Sequence, residues 1–233
     1  MATRRIFHVL LRRFRTLDRH DFEIRLSPEA RRLGIQLAAR VIHCTVTRDY
    51  DLQPYLHEAQ RRLTSSKEEL KNHEIARALR DFYWRIGIDP TKQRPSSEAL
   101  ARRLITTGYL PMINSVVDAC NLVSAETLIP IGLYNIDKIE GRLSLRAAQP
   151  GENFTDINGE AKTLREGEIV LSDDTGPLHI FPHRDAERTK ITLKTRHVLV
   201  VACGVPGVSK AQLENATEKV AALAQKLSAS EKD

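Results

Sequence analysis

Before residue 128 the apolar positions recur mainly at three- and four-residue spacings; after it they fall at alternate positions or in short unbroken runs. In the first part, "FEIRLSP" and "LAARVIHCTVTRDY" read as strand-rich segments. They bracket "SPEARRLGIQ", where Ser27 is placed to cap a short helix with Pro28 at its first position. The segments "DLQPYLHEAQRRLTS" and "SKEELKNHEIARALRDFYWRIG" are predicted helical. Ser66 with Glu69 matches a capping box, Leu79, Phe82, Tyr83 and Ile86 make the inward face, and Gly87 ends the run. "IDPTKQRPSS" is a proline-bearing loop, and "SSEALARRLITTG" a helix stopped by Gly108.

In the second part, "GRLSLRAAQ", "NFTDI", "EAKTL", "GEIVLSDD", "ITLKT" and "HVLVVAC" are predicted strands. Asn158-Gly159 within "FTDINGEAKTL" signals a hairpin. The closing "SKAQLENATEKVAALAQKL" places Leu213, Ala216, Val220, Leu223 and Leu227 on one stripe behind Ser209, as in an amphipathic helix. Helices first, then strands, then a helix predict an α+β fold of layered strands and helices. The expected organisation is a basic, flexible extension over residues 1–19 and one domain over 20–233.

One helical stretch breaks the simple apolar pattern. "MINSVVDACNLVS", residues 112–124, carries Asn114, Asp118 and Asn121 at spacings of four and three, which puts the three on one helix face. Asn114 suits an N-cap; Asp118 and Asn121 lie deeper, where such residues brace a neighbouring backbone or line a pocket.

Composition narrows the function. The 233 residues carry a net charge of +6, but six Arg and one Asp between residues 1 and 19 supply +5 of it, leaving the remainder nearly neutral. Overall basicity is therefore no argument for nucleic-acid binding, and only a local patch remains: "RDAERTKITLKTR", with five basic residues against Asp185 and Glu187. No apolar run reaches the roughly 20 residues that cross a bilayer. The three cysteines are widely spaced and form no C-x-x-C pair, which points to a reducing cytoplasm.

The stereotyped catalytic motifs do not occur. There is no G-x-S-x-G elbow, "CGVPGVSK" lacks phosphate-loop spacing, and "HIFPH" sets His179 and His183 four apart with Pro182 between them and no accompanying Glu. Neither a metal nor a cofactor is implied.

The runs "GIDPTKQRPSSEALARRLI", "LPMINSVVDACNLVS" and "IPIGLYNIDKIEGRLSLRAAQPGENFTDINGEAKTLREGEIVLSDD" together resemble the editing module of the bacterial phenylalanyl-tRNA synthetase beta subunit, the B-three/B-four domain, over about residues 88–205. The shared features are "INSVVDACN", "DKIEG", "LRAA" followed by "GE", and the Asn-Gly hairpin, in the same order. The resemblance implies hydrolysis of the ester linking a wrong amino acid to the 3′ end of a tRNA, a reaction in which water attacks with help from the ribose hydroxyl and backbone donors.

Residue by residue, the resemblance sets Cys120 and Asn121 where the module lines its amino-acid pocket with Thr and Asn, with Asn114 and Asp118 on the same helix. Gly132 stands where the module usually has a histidine, and Val201 where it has the glutamate that reads a tyrosine hydroxyl. Tyrosine is therefore not expected to be read in the module's way. His183, Arg184, Asp185 and Arg188 replace a glycine-rich loop beside the pocket. Asn121 and Asp185 are the expected catalytic pair; Asp185 suits the α-ammonium of an aminoacyl group, and Arg184, Arg188 and Lys190 the phosphates of tRNA. Three functions follow: a free-standing deacylase acting in trans on mischarged tRNA, a non-catalytic module holding tRNA or an amino acid, and an esterase or amidase for small aminoacyl compounds.

Overall fold

The computed structural model describes residues 23–63 and 67–229. The Arg-rich stretch 1–19 and the Ser66 capping box lie outside the described residues. The elements run β1 (Ile24–Leu26), α1 (Pro28–Arg32), β2 (Gln36–His43), α2 (Gln53–Arg62), α3 (Lys67–Asn72), α4 (Glu74–Arg85), α5 (Ser96–Thr107) and α6 (Ser115–Thr127). There follow β3 (Ile131–Asn135), β4 (Leu143–Ala147), β5 (Asn153–Thr155), β6 (Ala161–Thr163), β7 (Ile169–Asp173), β8 (Gly176–Ile180), β9 (Arg184–Asp185), β10 (His197–Gly204) and α7 (Lys210–Ser228). The fold is α+β.

The helix ends follow from their cap residues. Ser27 accepts the Ala30 amide with Pro28 at the first position of α1, Ser209 and Gln212 form a reciprocal capping box on α7, and Gly108 closes α5 at φ +68°. The long helical run before residue 87 is split: His73 turns its Nδ1 back onto the Ile75 amide at 3.3 Å and caps α4 separately from α3.

The sheets carry the interior. β10 is the middle strand of a three-stranded antiparallel sheet, with β2 on one side and β3 on the other, and Val201 faces Ala39 and Gly132 in register. Seven of its eight residues are buried, which is why "HVLVVACG" reads as a continuous apolar run rather than an alternation. A five-stranded sheet has the order β1-β4-β7-β8-β9; β1 and β4 are parallel, the others antiparallel. α7 lays its Leu213, Val220 and Leu227 stripe over β2, β10 and α6, and one apolar core runs from Ala30 to Leu227 through Leu79, Leu122 and Leu199. A smaller cluster of Phe154, Leu164, Val170, Ile180 and Ala186 fills the space between the β5–β6 hairpin and the larger sheet.

One strand expectation needs correction. "ITLKT" is a turn: Thr195 gives its amide to the Thr192 carbonyl and its hydroxyl accepts the Thr192 amide, so the threonines bond locally instead of joining a ladder. Conversely β3, β8 and β9 are strands that the sequence pattern did not mark. The Asn-Gly hairpin is present, with a five-residue loop over 156–160 in which the Asp156 carboxylate takes the Asn158 and Glu160 amides.

Candidate functional site

The polar residues of "MINSVVDACNLVS" do three different jobs. Asn114 is the N-cap of α6, its Oδ1 accepting the Val116 and Val117 amides at 3.2 and 3.0 Å. Asp118, fully buried, accepts the Ile113 amide on both carboxylate oxygens at 3.1 and 3.0 Å and the hydroxyl of Tyr50. It fastens the loop before the helix to the segment before α2. Burial pushes its carboxyl above the ordinary range, against the hydrogen bonds that favour the anion. Asn121, half-buried, faces a cavity.

That cavity has a volume of about 120 Å³. One wall is α6, through Asn121 and Ser124, together with Ser96 and Leu100 of α5. The floor is built by how α6 ends. Leu128 adopts the left-handed conformation at φ +59°, and Ser97 and Ser124 donate their hydroxyls to the Leu128 and Ile129 carbonyls at 2.8 and 2.7 Å. The chain then passes through Pro130 and Ile131 into Gly132, all three lining the cavity. The opposite wall is the β8–β9 turn, with His179, Pro182, His183 and Asp185, and Cys203 of β10 completes it.

Four of the residues expected from sequence thus meet in one place: Asn121, Gly132, His183 and Asp185. Four others do not line it. Asn114 caps, Asp118 braces, Cys120 is buried with its Sγ 3.7 Å from the Ile131 carbonyl, and Val201 sits 1% exposed in mid-strand. The three cations of the β9 loop are each held in an ion pair: Arg184 with Asp156 at 2.7 Å, Arg188 with Asp173 at 2.8 Å, and Lys190 with Glu187 at 2.9 Å. A larger cleft of about 540 Å³ lies between residues 85–93 and 165–169, and of the expected residues only His183 reaches it. The expected polar groups converge on the smaller cavity instead.

Charge states within the cavity follow from burial. The His183 imidazole is pushed down to about 3 by desolvation, with His179, Lys162 and Arg184 adding repulsion, so it is neutral at physiological pH. The Cys203 thiol is pushed far up by burial and then by the Asp185 charge, so it stays protonated and is no thiolate nucleophile. Asp185 Oδ1 lies 2.8 Å from Nδ1 of His179. The sequence offers His179 only as half of a His179–His183 pair with Pro182 between them and no accompanying Glu; the strand register sets it opposite Asp185 instead. Behind Gly132, the hydroxyl of Tyr134 is buried beside the Asp185 carboxylate, and burial first, then that charge, hold its pKa well above the ordinary value. Among the described residues no group of three or more His, Cys, Asp or Glu is placed to hold a metal, and no helix is long and apolar enough to cross a membrane.

The chain is 32% identical to the phenylalanine–tRNA ligase beta subunit of Fusobacterium nucleatum over 113 residues, which is 48% of this chain and 14% of that protein. It is 28% identical to the Nocardia farcinica beta subunit over 190 residues, 80% of this chain and 22% of the relative. The chain therefore spans less than a quarter of the length of these relatives. A solved N-terminal fragment of the phenylalanyl-tRNA synthetase beta subunit from Pyrococcus horikoshii matches 47% of this chain and 39% of its own, at 19% identity and a TM-score of 0.41. The model of the B3/4 domain matches residues 78–229, which include all of the cavity wall, and the chain belongs to the B3/4 domain family.

Proposed function

We propose that this protein hydrolyses the ester of mischarged aminoacyl-tRNA in trans. The observation that carries the reading is the cavity itself, which gathers the Asn121 amide, the Asp185 carboxylate and the Gly132 backbone from segments that lie far apart in sequence. The Asn121 side chain donates and accepts hydrogen bonds and suits the ester carbonyl or the aminoacyl group. Asp185, at the partly exposed end of the wall, suits the α-ammonium.

Size restricts the acyl group. At about 120 Å³ the cavity is smaller than the ~150 Å³ protein cavity known to admit benzene. Val201, buried and apolar, offers no acceptor for a phenol. A small amino acid fits better than tyrosine.

The test is release of labelled amino acid from a panel of aminoacyl-tRNAs carrying small and aromatic residues. Release of a small residue by the wild type, lost in Asn121→Ala, is the expected result. Protection of the ester without release would identify a binding module instead, turnover of small aminoacyl esters alone would identify an esterase, and either overturns the proposal.

A further inference from the structure

The cavity wall holds an imidazole that the reading above does not use, and it is paired with the Asp185 carboxylate. His179 on β8 and Asp185 on β9 are direct partners in the antiparallel ladder, and the Nδ1–Oδ1 separation is 2.8 Å. The imidazole is 5% exposed, with Tyr134 and Phe181 each packed edge-on against it at centroid distances of 6.3 Å. Its Nε2 is buried and makes no hydrogen bond. Buried polar nitrogens in native proteins almost always have partners, so a ring fixed at one nitrogen and bare at the other calls for a ligand.

The carboxylate also fixes the tautomer. With the Nδ1 proton directed to Asp185, the lone pair resides on Nε2, and the packing of Tyr134 and Phe181 prevents the ring from turning away. This is the arrangement in which an imidazole accepts a proton from a neighbouring oxygen. No other side chain of the cavity is as suited. The His183 imidazole is held neutral but lacks a carboxylate partner among its contacts, and Cys203 keeps its proton.

We infer that His179 is the general base of the site, with Asp185 as its positioning residue. The inference rests on the deacylase reading. The oxygen of a water molecule attacks the ester carbonyl as one of its protons passes to His179 Nε2. The tetrahedral intermediate then collapses, breaking the bond to the ribose oxygen, which leaves with the proton held by His179. The products are the free amino acid and a tRNA with its terminal hydroxyl restored, and no electron donor or further reactant enters.

The experiment compares the full chain with His179→Gln, His179→Ala and Asp185→Asn on the aminoacyl-tRNA that the wild type hydrolyses. General-base catalysis contributes on the order of 100-fold or more, so kcat is expected to fall by at least about that factor in both His179 variants with KM little changed. Thermal unfolding of each variant reports whether it is folded, and glutamine keeps a donor for Asp185 if alanine does not fold. Added imidazole is expected to restore part of the rate to His179→Ala, where a hole is left, and none to His179→Gln. Asp185→Asn is expected to lower kcat by favouring the wrong tautomer. A wild-type kcat in His179→Gln overturns the assignment of His179 while leaving the deacylase intact. A wild type inactive on every ester overturns the deacylase reading and this inference together.

Discussion

The hydroxyl end of Tyr134 occupies the space in which a side chain at residue 132 would begin. A Cβ built on Gly132 would lie 2.8 Å from Tyr134 Cζ and closer still to the hydroxyl oxygen. The two residues sit on the same face of β3, two apart, so tyrosine at one position demands glycine at the other.

Gly132→Ala is therefore expected to destabilise the protein by about 1–3 kcal/mol, the range for an overpacked core. Tyr134→Phe removes a buried hydroxyl that neighbours the Asp185 carboxylate and is expected to cost no more than about 1.5 kcal/mol by itself. Combining the two is expected to cost less than the sum of the separate effects, which a double-mutant cycle of urea unfolding measures. Simple additivity would show that the hydroxyl does not restrict residue 132.

Asp118→Ala leaves the buried Ile113 amide and the Tyr50 hydroxyl without their acceptor, at an expected cost of about 2–3 kcal/mol. Asn121→Ala, half-buried at the cavity, is expected to shift stability by less than about 1 kcal/mol. Chemical denaturation of the two variants side by side separates the brace from the pocket wall.

Acid is expected to unfold the protein through carboxylates held by arginine. Glu98, 1% exposed, is bonded by Arg80 at 2.8 and 2.6 Å and by Arg102 at 2.7 Å. Burial alone would raise its pKa, but the two guanidinium groups outweigh it and hold the carboxyl below its ordinary value. Asp173 behaves alike: burial is outweighed by Arg188 and by the Glu140 and Thr175 amides. A depressed folded-state pKa contributes stability that is fully present above the unfolded value of about 4.3 for Glu and 3.9 for Asp, and that is lost as pH falls through the folded value. Unfolding midpoints measured from pH 7 down to pH 3 are expected to drop in that window. Glu98→Gln is expected to start lower and to fall less steeply.

Thiol labelling reports the burial of the cysteines directly. Burial raises the Cys44 thiol to about 11, and raises Cys120 and Cys203 further. In the native protein at pH 8 Cys44 is expected to react slowly and the other two not at all; in denaturant all three react. Rapid native labelling of Cys203 would mean that the cavity wall opens.

Much of this was legible in the chain, and what was not has a common cause. The caps at Ser27, Asn114, Gly108 and Ser209 are local, made by a side chain or a φ angle within three residues of the helix end, so sequence reveals them. The stripe of α7 is a property of one helix. β3 and β8 went unread because "IGLYN" and "GPLHI" become strands by pairing with β10 and β7, and neither alternates cleanly. The site divides in the same manner. Asn121 was visible as a polar residue on an apolar helix, whereas His179 acquires a role only from the register that lays β8 against β9. The cations of the β9 loop illustrate the reverse failure: charge counting marks Arg184 and Arg188, but their carboxylates lie 28 and 15 residues away in sequence.

The eight-residue pairing of β2 with β10 lies across the limit of the matched family region, which begins at residue 78, well after β2 ends at His43. A chain cut at that limit would leave a long, apolar edge from His197 to Gly204, with the backbone donors and acceptors that face β2 bare. Such an edge is a template for strands of other molecules, and the expected product is an aggregate rather than a smaller folded unit. The border recognised by comparison is thus not a border for folding: the first strands, outside the matched region, act as the seal that keeps the middle strand from recruiting its neighbours.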